Sequence, residues 1–195
     1  MRDYLALPVQ TPREPRLILA SSEAHADLGD PASAVFTDLR VAPSVVVPAG
    51  EALPDTRRLM QLAGVRMAFV VEGSSNEVVG FVTAADLQGE RSMVAASRRM
   101  ASHHDLTAAD VMTPVADWVT IDASRLANAR VGDIAATFRA ASERYLIAME
   151  TEPGGQRVVR GLFSANRVER ALGHTIAVEL RSRSFADLAQ ALGHG

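Results

Sequence analysis

The sequence predicts an α+β fold made of two copies of one β-α-β-β-α unit. Three observations point there. Four short blocks of residues recur in the same order along the chain. Within each copy the apolar residues switch from helical spacing to short continuous runs. The composition is that of a globular protein: 48% hydrophobic and 22% charged over 195 residues, against roughly 45–50% and about 25% in ordinary soluble domains.

The recurrence is specific. Val35-Phe36-Thr37-Asp38 matches Val111-Met112-Thr113-Pro114 at an offset of 76, and Val45-Val46-Val47-Pro48 matches Val119-Thr120-Ile121-Asp122 at 74. Arg66-Met67-Ala68-Phe69-Val70-Val71-Glu72 matches Arg144-Tyr145-Leu146-Ile147-Ala148-Met149-Glu150 at 78. Gly80-Phe81-Val82-Thr83-Ala84-Ala85 matches Gly161-Leu162-Phe163-Ser164-Ala165-Asn166 at 81. Self-similarity at a near-constant period marks a duplicated structural unit. Loop insertions account for the drift in offset.

Each copy opens on a β-rich run, at 44–47 and 118–121. A helix follows. In the first copy Leu53, Thr56, Leu59, Met60 and Ala63 fall at helical spacing and Gly64 stops the helix. In the second, Ile134, Phe138 and Ala141 repeat at i, i+4, i+7 behind Asp133 as the cap. A buried strand (67–71; 145–149), a polar turn (73–76; 153–156) and a second strand (78–82; 158–163) then read as a hairpin. The last helix of each copy starts at a hydroxyl residue, from Thr83 onward and over 164–172, because Thr and Ser are favoured N-caps. A unit of this size buries too little apolar surface alone, so the two copies are expected to pack sheet to sheet.

The chain therefore divides into an extended arm (1–32) broken by Pro8, Pro12, Pro15 and Pro31, a first repeat (33–90), a helical linker (91–106), a second repeat (107–173) and a C-terminal extension (174–195). Thr107 with Asp110 three residues on has capping-box spacing at the start of a short helix. In the extension Ile176, Val178 and Leu180 alternate like an edge strand, and Ser184 begins a last helix through Leu192.

Composition removes whole classes of chemistry. Cysteine is absent, which excludes thiol nucleophiles, Cys–zinc sites and disulfides. All 20 Lys+Arg residues are arginine, which excludes lysine Schiff bases and Walker-type phosphate loops. Any anion is therefore held by arginine, backbone N–H groups or hydroxyls. A net charge of -3 and 5% aromatics give neither the basic face nor the stacking platform of a nucleic-acid binder. His103-His104 is the only histidine pair, and neighbours in sequence do not share the helix face that a metal site wants. Ser22 and Ser164 lack a His–Asp partner pattern for hydrolysis. The N-terminal residues never reach the apolar core of an export signal, and no apolar stretch approaches the length of a membrane span. The expectation is a soluble, cytoplasmic, non-enzymatic protein.

The Val-Met-Thr-Pro start (111–114), the two Arg-plus-apolar strands (66–71; 144–149) and the segment 80–87 together resemble the cystathionine-β-synthase (CBS) domain family in its usual paired form, the Bateman module. The resemblance spans about residues 34–173. It implies regulatory binding of an adenosine-containing ligand (AMP, ADP, ATP or S-adenosylmethionine), a homodimer, and an effector protein as partner. The family's ligand motif, Gly-apolar-apolar-Thr/Ser-x-x-Asp, is complete at Gly80 to Asp86. There, Thr83 at a helix start would offer an anion site at the positive end of the helix dipole. The Asp86 carboxylate, one turn on, would accept both hydroxyls of a ribose. The apolar Val45-Val46-Val47 segment and the strand Arg66-Met67-Ala68-Phe69 would line the adenine slot. In the second copy the matching positions are Thr120, Arg144, Tyr145 and Ser164, but Arg167 stands where the carboxylate belongs. A cation cannot accept the diol. That half-site is either empty or takes a more anionic group on the Arg167 fork.

Plainer readings stand beside these. Thr83 with Asp86 is also a capping box and nothing more. Arg66 and Arg144 are either surface ion pairs or phosphate contacts. Arg57-Arg58 and Arg98-Arg99 read as solvated faces. Trp118 either packs beside the first strand of its copy or covers a base at the mouth of the second cleft. The alternative to a nucleotide sensor is a ligand-free scaffold that dimerises, through the helix at 164–172 and the segment at 92–101.

Overall fold

Apolar runs without alternation mark strands covered on both faces, and both such runs are inner strands of a sheet. The computed structural model describes residues 25–73 and 77–176. In chain order it has β1 (Thr37–Asp38), β2 (Val46–Pro48), α1 (Leu53–Leu62), β3 (Met67–Glu72), β4 (Glu77–Thr83), α2 (Glu90–Arg99), α3 (Ala108–Val111), β5 (Thr113–Pro114), β6 (Thr120–Asp122), α4 (Val131–Ala141), β7 (Tyr145–Thr151), β8 (Arg157–Ser164) and α5 (Ala165–Leu172). The arm up to residue 24, most of the turn at 74–76, and the extension from 177, with its expected edge strand and last helix, lie outside the described residues.

The two copies build two four-stranded sheets, ordered β2-β3-β4-β5 and β1-β8-β7-β6. In each, a parallel pair (β2 with β3, β6 with β7) is joined through a helix, and the next strand returns antiparallel as a hairpin. The fold is α+β, with two β-α-β-β-α repeats packed pseudo-symmetrically. Even the irregularities match. The register shifts between Val70 and Val71 in one hairpin and between Ala148 and Met149 in the other.

The outermost strands are exchanged. β1 precedes the first repeat but pairs with β8 of the second, Thr37 opposite Leu162 and Asp38 opposite Gly161. β5 precedes the second repeat but pairs with β4 of the first, Gly80 opposite Pro114 and Phe81 opposite Thr113. The segments before them cross as well. Ala32 and Val35 are buried against α4, and Ala108 and Val111 of α3 are buried in the core beneath α1. Each packed half is thus completed by a short piece of the other repeat.

Two glycines make room for this. A Cβ on Gly80 would lie 2.7 Å from the Thr113 carbonyl oxygen and 2.8 Å from the Met112 sulfur. A Cβ on Gly161 would lie 2.3 Å from both the Thr37 carbonyl oxygen and the Phe36 ring. The incoming strand is also held by charge. Arg160 of β8 forks onto Asp38 of β1, with Nε donating to Oδ1 at 3.0 Å, and reaches Glu150 of β7. Arg40 closes the group with two bonds to Glu150, at 2.8 and 3.0 Å.

Strand alternation assigns the faces. Ala68, Val70 and Val82 point to the helices over the first sheet, and Leu146 and Phe163 to those over the second. Phe69, Phe81, Ile147 and Leu162 point the other way and meet between the sheets. The sheets therefore pack face to face, as expected.

Two helix starts differ from expectation. The second-copy helix begins at Val131 with Arg130 as its N-cap, and Asp133 sits three residues in, its carboxylate accepting the Arg130 backbone N–H at 2.8 Å. No helix starts at Thr83. Residues 84–88 form turns, and the helix waits until Glu90, capped by an extended Gly89. A side chain there would press on the Ala85 carbonyl at 2.6 Å, so the turn and the helix meet at a residue that has to be glycine. By contrast, Ser164 caps α5, its hydroxyl accepting the Arg167 N–H at 3.3 Å. Thr107 and Asp110 form their reciprocal pair at the start of α3.

Gly161→Ala is expected to lower the unfolding free energy by about 1–3 kcal/mol, as overpacking does. It would be read as a fall in thermal midpoint, and an unchanged melt would show that β1 can move aside without cost. Asp38 is held down to about 2, first by the hydrogen bond from Arg160 and then by the Arg40 N–H. A carboxylate depressed in the folded state stabilises above its unfolded value of 3.8 and loses that contribution as pH falls toward 2. Asp38→Asn is expected to flatten this part of an acid titration followed by circular dichroism.

Candidate functional site

The hairpins bring the motif residues to one end of each sheet. Met67 pairs with Thr83, and Tyr145 with Ser164. The Arg66 carbonyl accepts the Ala84 N–H, and the Arg144 carbonyl the Ala165 N–H. Where these ends face each other across the sheet interface, two adjoining clefts open.

The first, about 340 Å³, has an apolar bed of Leu39, Val45, Met67, Phe69 and Leu162. Its polar rim holds Arg66, Ser164, Asn166, Arg167 and Arg170. The second, about 300 Å³, is lined by Phe81, Thr83, Asp86, Arg91, Thr113, Glu143 and Arg144. Arg66, Tyr145 and Asn166 line both. The two repeats contribute to each cleft crosswise. The β2 lead and the Arg66 strand of the first repeat lie opposite the Ser164 motif of the second, not opposite Thr83 and Asp86 of their own repeat.

Thr83 and Asp86 share one crevice and bond to each other. Asp86 Oδ2 accepts the Thr83 N–H at 2.8 Å and the Thr83 hydroxyl at 2.7 Å. Thr83 Oγ1 accepts the Asp86 N–H at 3.3 Å. The capping box is therefore formed, but around an isolated turn without a helix dipole behind it. That removes the reason for placing an anion at Thr83. Asp86 Oδ1 remains as an acceptor, with Arg91 Nε 3.5 Å away. The turn is tied down from below, where the His103 Nε2–H donates to the buried Leu87's carbonyl at 2.8 Å.

The arginines sort into two kinds. Arg144 donates to Asn166 Oδ1 and, at 2.8 Å, to Glu169. Arg91 donates to the Val111 carbonyl and to Thr113 Oγ1. Both are committed to the protein. Arg66, Arg167 and Arg170 have no ion pair among the described residues. So the two readings of the strand arginines split: Arg144 is structural, and Arg66 faces the clefts.

Four sequence candidates do not line either cleft. Val46 pairs with Phe69 at the edge of its sheet and is 46% exposed, while Val47 is buried under the helices and only Val45 of the valine run lines a cleft. Ala68 is buried under the helices. Gly80 admits β5. Thr120 is an exposed edge residue of β6. Conversely, Asn166, Arg170, Arg91, Leu39 and Thr113 were not anticipated. Arg170 follows Arg167 by three residues on α5, the spacing that shares a helix face, and that signal was available. Leu39 and Thr113 arrive only through the strand exchange.

Trp118 packs and does not line either cleft. Its ring lies 5.7 Å from Phe81 and 6.0 Å from Phe69, and its Nε1–H donates to the Thr113 carbonyl at 3.0 Å. In the repeat it corresponds to Ser44, which lines the first cleft.

Tyr145 sits where the clefts join. Burial, and then the charge of Asp86, hold its phenol above the ordinary 10.0. The unfolded chain therefore releases this proton first, and folded stability is expected to fall as alkaline pH approaches the folded value. An ultraviolet pH titration should show the Tyr145 phenol ionising late, and earlier in Asp86→Asn. Equal curves would remove Asp86 as a cause.

No protein-family model matches the chain, and no curated protein sequence matches it. Solved structures do. A conserved protein from Pyrococcus horikoshii superposes with TM-score 0.52 at 18% identity, over 74% of this chain and 93% of that one. The CBS domain of a bacterial CNNM/CorC family Mg2+ transporter, in complex with ATP, gives 0.48 at 19% identity over 74% and 89%. CBSX2 in complex with AMP gives 0.46 at 18% over 73% and 96%. At this likeness the Pyrococcus horikoshii protein shares the fold of this chain, two β-α-β-β-α repeats packed sheet to sheet. Among the described residues, no helix is long and apolar enough to cross a membrane.

Proposed function

We propose that this chain is a non-enzymatic regulatory module that binds an adenosine-containing ligand between its repeats and passes the event to a partner protein. The observation behind this reading is that each inter-repeat cleft joins residues of both repeats and combines an apolar wall with cations and hydroxyls. A planar base suits the wall, and phosphates suit arginine forks. The ligand class is that of AMP, ADP, ATP and S-adenosylmethionine.

The mechanism is a population shift. A molecule touching both repeats favours the arrangement in which both reach it, and only by the difference in its affinity for the two arrangements. No lysine or cysteine is available for covalent chemistry. A second copy would meet the apolar side chains left exposed on α1 and α2, among them Leu62 and Met93. The outward side of α5 carries Arg167 and Arg170 instead, which argues against the 164–172 helix as a dimer face.

Titration calorimetry of the whole chain with AMP, ADP, ATP and S-adenosylmethionine tests the reading. Heat for at least one, weakened about tenfold or more in Asp86→Ala or in Arg167→Ala, is expected. No heat up to about millimolar, or binding indifferent to both substitutions, would leave the ligand-free scaffold as the better account.

A further inference from the structure

We infer that the first cleft alone takes the ligand, and that this ligand carries two or more phosphates. The inference rests on the proposed function and narrows it, since the cleft it selects is the one that lacks the ribose carboxylate.

Charge is the first reason. The lining of the first cleft contains three arginines, Arg66, Arg167 and Arg170, and no acidic residue. These three line one cleft with no ion pair among the described residues, Arg66 reaching the second cleft as well. The second cleft sets Asp86 and Glu143 against its arginines. Two of those, Arg91 and Arg144, already donate to protein acceptors. Like charges gathered at one mouth repel each other, and a polyanion relieves that repulsion. A single phosphate engages only part of the set. S-adenosylmethionine brings a sulfonium cation and no phosphate, and is repelled.

Room is the second reason. Val45 and Val119 hold equivalent places before β2 and β6, so Ser44 and Trp118 hold matching positions in the two repeats. Ser44 leaves the first bed open, and Val45 and Met67 line it over the buried Phe69. In the second, the Trp118 indole lies against Phe81 and is held by its bond to the Thr113 carbonyl. An anchored indole thus stands behind Phe81 at the position that a small serine holds beside the first cleft.

The test is calorimetry on the full chain with ATP, ADP, AMP, S-adenosylmethionine and inorganic tripolyphosphate, at low and high salt. Variants are Arg167→Gln, the pair Arg167→Ala with Arg170→Ala, and Arg58→Gln, which removes a surface charge on α1 away from both clefts. One ATP per chain is expected, bound about tenfold or more tighter than AMP, as charged hydrogen bonds allow. Affinity should fall with salt. The double variant should weaken ATP about tenfold or more while its circular dichroism melt is retained, and Arg58→Gln should bind as the parent does. Two ATP per chain, AMP or S-adenosylmethionine binding as tightly as ATP, or ATP lost in Asp86→Asn but kept in the arginine variants would each overturn the inference and leave the proposed function standing. No heat for any adenosine compound would defeat both.

Discussion

The structure depends on the close approach of two exchanged strands to two glycines. β1 and β5 are two residues each, too short to stand without a neighbour, and each lies over a glycine where a methyl group has no space. That contact completes both sheets and delivers Leu39 and Thr113 to the clefts. It also fixes which repeat faces which. Without it the two halves would each keep an unpaired edge, an open template for association. The Arg160–Asp38–Glu150–Arg40 group adds a charged latch at one of the two crossings, and the other relies on packing.

From this follows the mixed parentage of the clefts. A cleft whose apolar bed comes mostly from the first repeat and whose arginine rim comes mostly from the second depends on how the repeats sit together. The same arrangement explains why the residues of one motif do not serve one site. Thr83 and Asp86 close on each other, while Ser164 serves as the cap of α5 and leaves Arg167 and Arg170 turned outward.

Much of this was legible in the chain, and the limits have physical causes. The order of blocks gave away the repeat, the hairpins and the face-to-face sheets, because periodicity and duplication are local properties. Exchange was not legible, since the offset between Thr37 and Thr113 is the same whichever sheet each joins. Three valines in a row carry no phase, so the sequence points the whole run at the slot, where only Val45 lies. The helix expected at Thr83 was written as a cap, yet Gly89, six residues later, was the stronger punctuation. The pairing of Ser44 with Trp118 became meaningful only once the walls of each cleft were known. Thr83 and Asp86 were rightly placed in one hollow, but the arginine trio, with two members on α5 and one on the opposite repeat, needed the three-dimensional crossing to be seen.

Asp38 and Arg160 are separated by 122 residues, and this has a bearing on how the chain is made. During synthesis β1 emerges well before its partner strand, so the first half leaves the ribosome with one piece that it cannot yet use and one place that it cannot yet fill. Contacts this distant are slow to close, and domain-by-domain folding from the N-terminus is denied to the repeats as separate bodies. The β1–β8 pairing can close only after the chain has been made as far as residue 164.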